Sequence, residues 1–143
     1  MTAVARQKPD LSGDWRLNPQ ASLLSPAVAS AVQSGVLHIE HRDPKFTSDL
    51  TVVFDGQPVR KTFELLSDGR EVSATGDQGQ RIVSSLRWHG DALVATSRIE
   101  AAGGGVTISF RYELQDAGRS LRAAEELRGG GRDQDNVWVF TRV

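Results

Sequence analysis

From residue 35 onward the chain is interrupted about every 10 to 14 residues by a cluster suited to turning: Asp55-Gly56, Ser67-Asp68-Gly69, Gly76 to Gly79, His89-Gly90-Asp91, Gly103 to Gly105, Asp116-Ala117-Gly118 and Gly129 to Gly131. Glycine, and less readily Asn or Asp, supplies the positive φ that tight hairpins require. Between these clusters apolar and polar residues alternate, which is the period of a strand with one buried face. The clearest segment is 106–114, where Val106, Ile108, Phe110, Tyr112 and Leu114 share one face and Thr107, Ser109, Arg111 and Glu113 the other. Short connections make consecutive strands neighbours. So many half-apolar antiparallel strands must close or stack, because an open edge invites aggregation. The pattern predicts an all-β fold, an antiparallel up-and-down β-barrel of eight to ten strands covering 13–18, 36–42, 46–54, 59–65, 70–74, 81–88, 92–100, 106–114, 120–128 and 136–142.

One segment departs from this alternation. Ser25 can cap backbone donors, Pro26 suits a first helical position, Val28, Ala31 and Val32 form an apolar stripe, and Gly35 suits a stop. The reading is one short helix of about two turns between strands one and two.

At 143 residues the chain has the length of one domain with one core. Residues 1–10 read as a flexible N-terminal stub and 11–143 as the single barrel domain. The chain has no cysteine, which removes disulfides, thiolate metal sites and thiol catalysis. Its 17 Lys and Arg and 18 Asp and Glu are interspersed, so there is no electrostatic footprint for nucleic acid. No apolar run approaches the roughly 20 residues that span a bilayer. The chain reads as soluble, and its polar opening is the stub that removal of a signal peptide would leave.

Motifs for phosphate binding, a nucleophile elbow or a zinc helix are absent, and no cofactor is implied. His38, Glu40 and His41 come nearest to a metal set. Alternation sends His38 and Glu40 to one face and His41 to the other, so no metal site is expected.

Alternation also sorts polar side chains by face. His41 is in phase with Leu37 and Ile39, Lys61 with Val59, Phe63 and Leu65, Ser84 with Leu86 and Trp88, Ser97 with Leu93 and Ala95, and Glu125 with Leu121, Ala123 and Leu127. His41 and Lys61 have an ordinary explanation as wetted rim residues, and the serines as satisfied core hydroxyls. Glu125 is harder to dismiss, because an unpaired carboxylate in an apolar interior is costly. The competing reading is a one-residue slip through Ala123-Ala124-Glu125-Glu126 that turns Glu126 inward. Phe63, Leu86, Trp88, Phe110 and Tyr112 share the inward phase and form the predicted wall of a ligand cavity, with Glu125, His41 and Lys61 as its polar groups.

The segment Leu11-Ser-Gly-Asp-Trp-Arg-Leu-Asn18 resembles the Gly-x-Trp opening of lipocalins and fatty-acid-binding proteins, and Val137-Trp-Val-Phe-Thr-Arg142 resembles their last strand. The resemblance implies that Trp15 closes the barrel floor and that Arg142 stacks on it. Segments 37–44, 54–59, 86–93 and 112–121 are similar to a group of bacterial lipocalin-like proteins without known function, which implies export to the periplasm or beyond. The usual lipocalin disulfide and C-terminal helix are missing, so the shape is nearer the fatty-acid-binding type.

Two functions of different class fit these residues. The leading one is binding of a small hydrophobic molecule, a lipid or pigment, in an aromatic-walled cavity. The alternative is a barrel enzyme in which Glu125 works with Lys61 or His41 as acid–base partner in an isomerisation, cyclisation or hydrolysis. A barrel packed shut, acting through its surface, is the third possibility.

Overall fold

The computed structural model describes residues 8–76, 78–101 and 104–143. Ten strands lie in one antiparallel sheet: β1 (Gly13–Leu17), β2 (Val32–Arg42), β3 (Lys45–Phe54), β4 (Gln57–Leu66), β5 (Val72–Thr75), β6 (Arg81–His89), β7 (Ala92–Glu100), β8 (Val106–Gln115), β9 (Ser120–Arg128) and β10 (Gln134–Arg142). Their order is β4-β3-β2-β1-β10-β9-β8-β7-β6-β5, so each strand follows its sequence neighbour and β1 meets β10. This is the expected meander, bent into a barrel whose two ends in the sheet are β4 and β5. Among the described residues no helix is long and apolar enough to cross a membrane.

The seam between β4 and β5 is closed at one end of the barrel only. Just beyond β4, Asp68 bridges Arg87 of β6, and the Gly69 N–H donates to the Leu86 carbonyl at 2.9 Å. Towards the other end β5 is a four-residue strand whose residues are all exposed, and it pairs only with β6.

The floor is built where the chain ends meet. Trp15 faces Arg142 across the β1–β10 ladder, and the guanidinium lies 4.2 Å from the indole centroid. The Arg142 Nη1 donates to the Ser12 carbonyl and its Nε to the Gly118 carbonyl. The Trp15 indole N–H donates to the Leu11 carbonyl at 3.2 Å. Gly13 sits at φ +141, a conformation L side chains rarely adopt, and a Cβ there would also displace Arg142 Nη1, so the dihedral is what requires the glycine of the Gly-x-Trp opening.

The helix is shorter than the sequence suggests. It runs over Pro26–Ala31, and Val32 is already extended at φ −74, ψ 132 and begins β2. Gly35 is therefore no helix stop. It is buried inside β2, where its missing side chain makes room for Leu17, whose Cβ would lie 3.1 Å from an added Cβ. Ser25 stands at the N-cap, but its hydroxyl makes no capping bond. Leu24, Val28 and Val32 pack the helix onto the core at the open end.

Candidate functional site

A strand that places every second residue inward buries those residues only as deeply as the barrel is filled at that level. At the closed end the inward set is sealed: Trp15, Phe46, Leu65, Leu86, Leu93 and Leu121 are all buried. Towards the open end it is not. Val59 pairs with buried Val52 and Val72 with Ser84 on the inner face, yet they are 40% and 45% exposed. Lys61 and Ala74 share that face and are exposed too, while Leu50, Phe63, Ile108, Phe110 and Leu127 are half-buried. The inner wall of the upper barrel is thus largely apolar and incompletely buried, most exposed at the seam strands β4 and β5.

Glu125 projects into this region. It pairs with Phe110 on one side and Asn136 on the other, and its Oε1 accepts hydrogen bonds from Asn136 Nδ2 at 3.0 Å and from the Trp138 indole N–H at 3.1 Å. The orientation of Asn136 is pinned because its Oδ1 accepts the Ser25 backbone N–H at 2.8 Å. Glu126 is exposed on the outer face, so the strand does not slip. Among the described residues Ser25 Oγ is the one fully enclosed polar side-chain atom without a partner. Glu125 Oε2 and the Tyr112 hydroxyl hydrogen-bond to none of the described residues and are not fully enclosed. Burial pushes the Tyr112 phenol pKa up, and the Glu125 carboxylate adds to the shift.

His41 and Trp88 belong instead to the closed end. The buried His41 accepts the Leu11 backbone N–H on Nδ1, so its proton sits on Nε2, 3.2 Å from Asp43 Oδ1. That oxygen also accepts the Trp88 indole N–H at 2.9 Å and the Ser67 hydroxyl at 2.8 Å. Burial would raise the Asp43 pKa, but the bonds from Ser67, Trp88 and His41 outweigh it and hold it below its ordinary value. Of the residues read as a stub, 1–7 lie outside the described residues, and Lys8 donates to the Gly90 carbonyl while lying 5.3 Å from the Trp88 ring centroid. His38 faces outward to Asp14 and Glu40.

The structure thus brings Phe63, Phe110, Tyr112 and Glu125 to one region. His41 and Trp88 are tied to Asp43 at the closed end, and Leu86 is fully buried. Lys61 sits across the barrel on β4, and no hydrogen bond joins Glu125 to Lys61 or His41. Sequence reasoning missed Phe46, which is fully buried with its ring centroid 5.7 Å from that of Phe63 and 6.0 Å from that of Tyr112. It also missed Asn136 and Trp138, although both are in phase with Phe140 and the signal was therefore present. Ser84 and Ser97 satisfy each other at 2.8 Å.

No protein-family model matches the chain, and no curated protein is significantly similar to it. Solved structures are similar in fold. The REP1-NXSQ fatty acid transporter superposes with a TM-score of 0.59 at 14% identity, over 93% of this chain and 96% of its own. A secretory abundant heat-soluble protein from Ramazzottius varieornatus gives 0.65 at 11% identity, over 92% and 94%. Zebrafish ileal bile acid-binding protein in complex with cholic acid gives 0.59 at 14% identity, over 92% and 98%. At such identities the likeness establishes the fold alone, an antiparallel β-barrel.

Proposed function

We propose that this chain binds a small hydrophobic molecule in the upper half of its barrel, with Phe63, Phe110 and Tyr112 as the wall and Glu125 as the polar contact. The observation that carries the reading is the exposure gradient along the inner face: inward apolar residues are sealed at the Trp15 end and solvent-reachable beside the open seam. Apolar surface left accessible on a concave wall gains free energy when an apolar ligand covers it. Two of the similar structures are a fatty acid transporter and a bile acid-binding protein, which supports a ligand of this class. On the same reading, and on the sequence resemblance alone, the chain acts outside the cytoplasm.

A neutral solvatochromic dye, Nile red, tests the cavity. It should bind with micromolar affinity or better and report an apolar environment. Phe110→Ala should retain binding and Phe110→Asp should abolish it, since an added charge on the wall must be desolvated. Absence of dye binding, or equal binding by the two variants, refutes the pocket.

A further inference from the structure

Among the described residues the inner face carries a single carboxylate. Reading inward positions from the strand registers, Glu125 is the one acid, and the bases are Lys61, His41 and Arg142. None of these bases stands beside it. Lys61 is on β4, five strands from β9 in a ten-strand order and so across the barrel. His41 and Arg142 are committed at the closed end to Asp43 and to the Ser12 and Gly118 carbonyls.

The partners Glu125 does have leave half of it unused. Asn136 Nδ2 and Trp138 Nε1 can only donate, and both are spent on Oε1. Oε2 is left as an unpartnered acceptor on the accessible inner face. The Tyr112 hydroxyl, also without a partner, lies two residues along the neighbouring strand from Phe110, the residue paired with Glu125. A ligand head that satisfies Glu125 Oε2 must bring a hydrogen-bond donor, which the Tyr112 oxygen can also accept, and one that also brings positive charge gains a charge-assisted bond. A carboxylate head would set two anions together, which is disfavoured.

Building on the cavity reading, we infer that Glu125 and Tyr112 form its head-group subsite and that the subsite selects an apolar ligand bearing a protonated amine. The polarity of this recognition is the reverse of what a fatty acid needs.

The test is competition against Nile red at pH 7 by dodecylamine, dodecanol and dodecanoic acid, which share a chain length and differ in the head. Dodecylamine should compete about tenfold more strongly than dodecanol, the range expected of one charge-assisted hydrogen bond, and dodecanoic acid should be weakest. With each competitor's affinity referred to the variant's own Nile red Kd, Glu125→Gln should bring amine and alcohol to within about twofold of each other. If dodecanoic acid equals or exceeds the amine, or if the amine preference survives Glu125→Gln, the head-group inference is overturned while the cavity stands. If neither the dye nor any of the three binds, the cavity itself is refuted. The competition on the native chain requires no variant, so it decides even where Glu125→Gln fails to fold.

Discussion

Replacing Trp15 by Ala removes the largest side chain of the barrel floor, and its cost can be worked from what the indole touches. The side chain is 1% exposed and packed within the main core, where truncating a large aromatic residue costs about 3 to 5 kcal/mol in lost burial and residual cavity. The Leu11 carbonyl loses its indole donor, and Arg142 loses the ring beneath its guanidinium, which places the total in the upper part of that range. Unfolding entropy near 2.1 cal/mol/K per residue gives a chain of 143 residues about 0.3 kcal/mol/K, so Tm should fall by about 13 to 17 °C. Thermal and urea melts followed by circular dichroism measure this directly. Arg142→Gln should cost only about 1 kcal/mol, because the guanidinium is largely exposed. Combining the two should give less than the sum, by about 0.5 to 1 kcal/mol, since the stack can be lost only once. A Trp15→Ala loss below about 1.5 kcal/mol would contradict the floor assignment. Strict additivity would show that the stack contributes nothing.

Two further outcomes follow from the closed end. Asp43 is held below its ordinary pKa in the folded chain, so the stability it contributes is present above the ordinary carboxylate range and is lost as pH falls through its folded value. Asp43→Asn should be less stable at pH 7 and lose stability less steeply on acidification, and parallel pH profiles for the two proteins in urea melts would refute the role given to the carboxylate. Gly13→Ala should destabilise by about 1 to 3 kcal/mol through its positive φ and the clash with Arg142, and an unchanged melting temperature would show that β1 can shift away from the guanidinium.

How much of this was legible in the sequence depends on the range of the interaction involved. Alternation assigned Phe63, Phe110, Tyr112 and Glu125 to the inner face, because strand periodicity is a local property, whereas the floor at Trp15 and Arg142 was implied only by the resemblance of the Gly13-Asp14-Trp15 opening and the last strand. The helix was overdrawn because Gly35 suits a helix stop as well as it suits the crowded strand position opposite Leu17. Only packing against β1 distinguishes the two.

Depth along the barrel axis was not legible at all. His41, Trp88 and Phe110 carry the same inward signal, yet His41 and Trp88 are tied to Asp43 at the closed end while Phe110 lines the open half. That difference arises from how ten strands register against one another and from a seam that zips at Asp68 and Gly69 but not beside β5. Likewise, that Glu125 must face inward follows from its own strand. That Asn136 and Trp138 occupy one of its oxygens and leave the other open was decided by β10, paired to β9 across the turn. Period two along one strand encodes which face a side chain takes. What it meets there, and whether water can reach it, is set by its neighbours in the closed sheet.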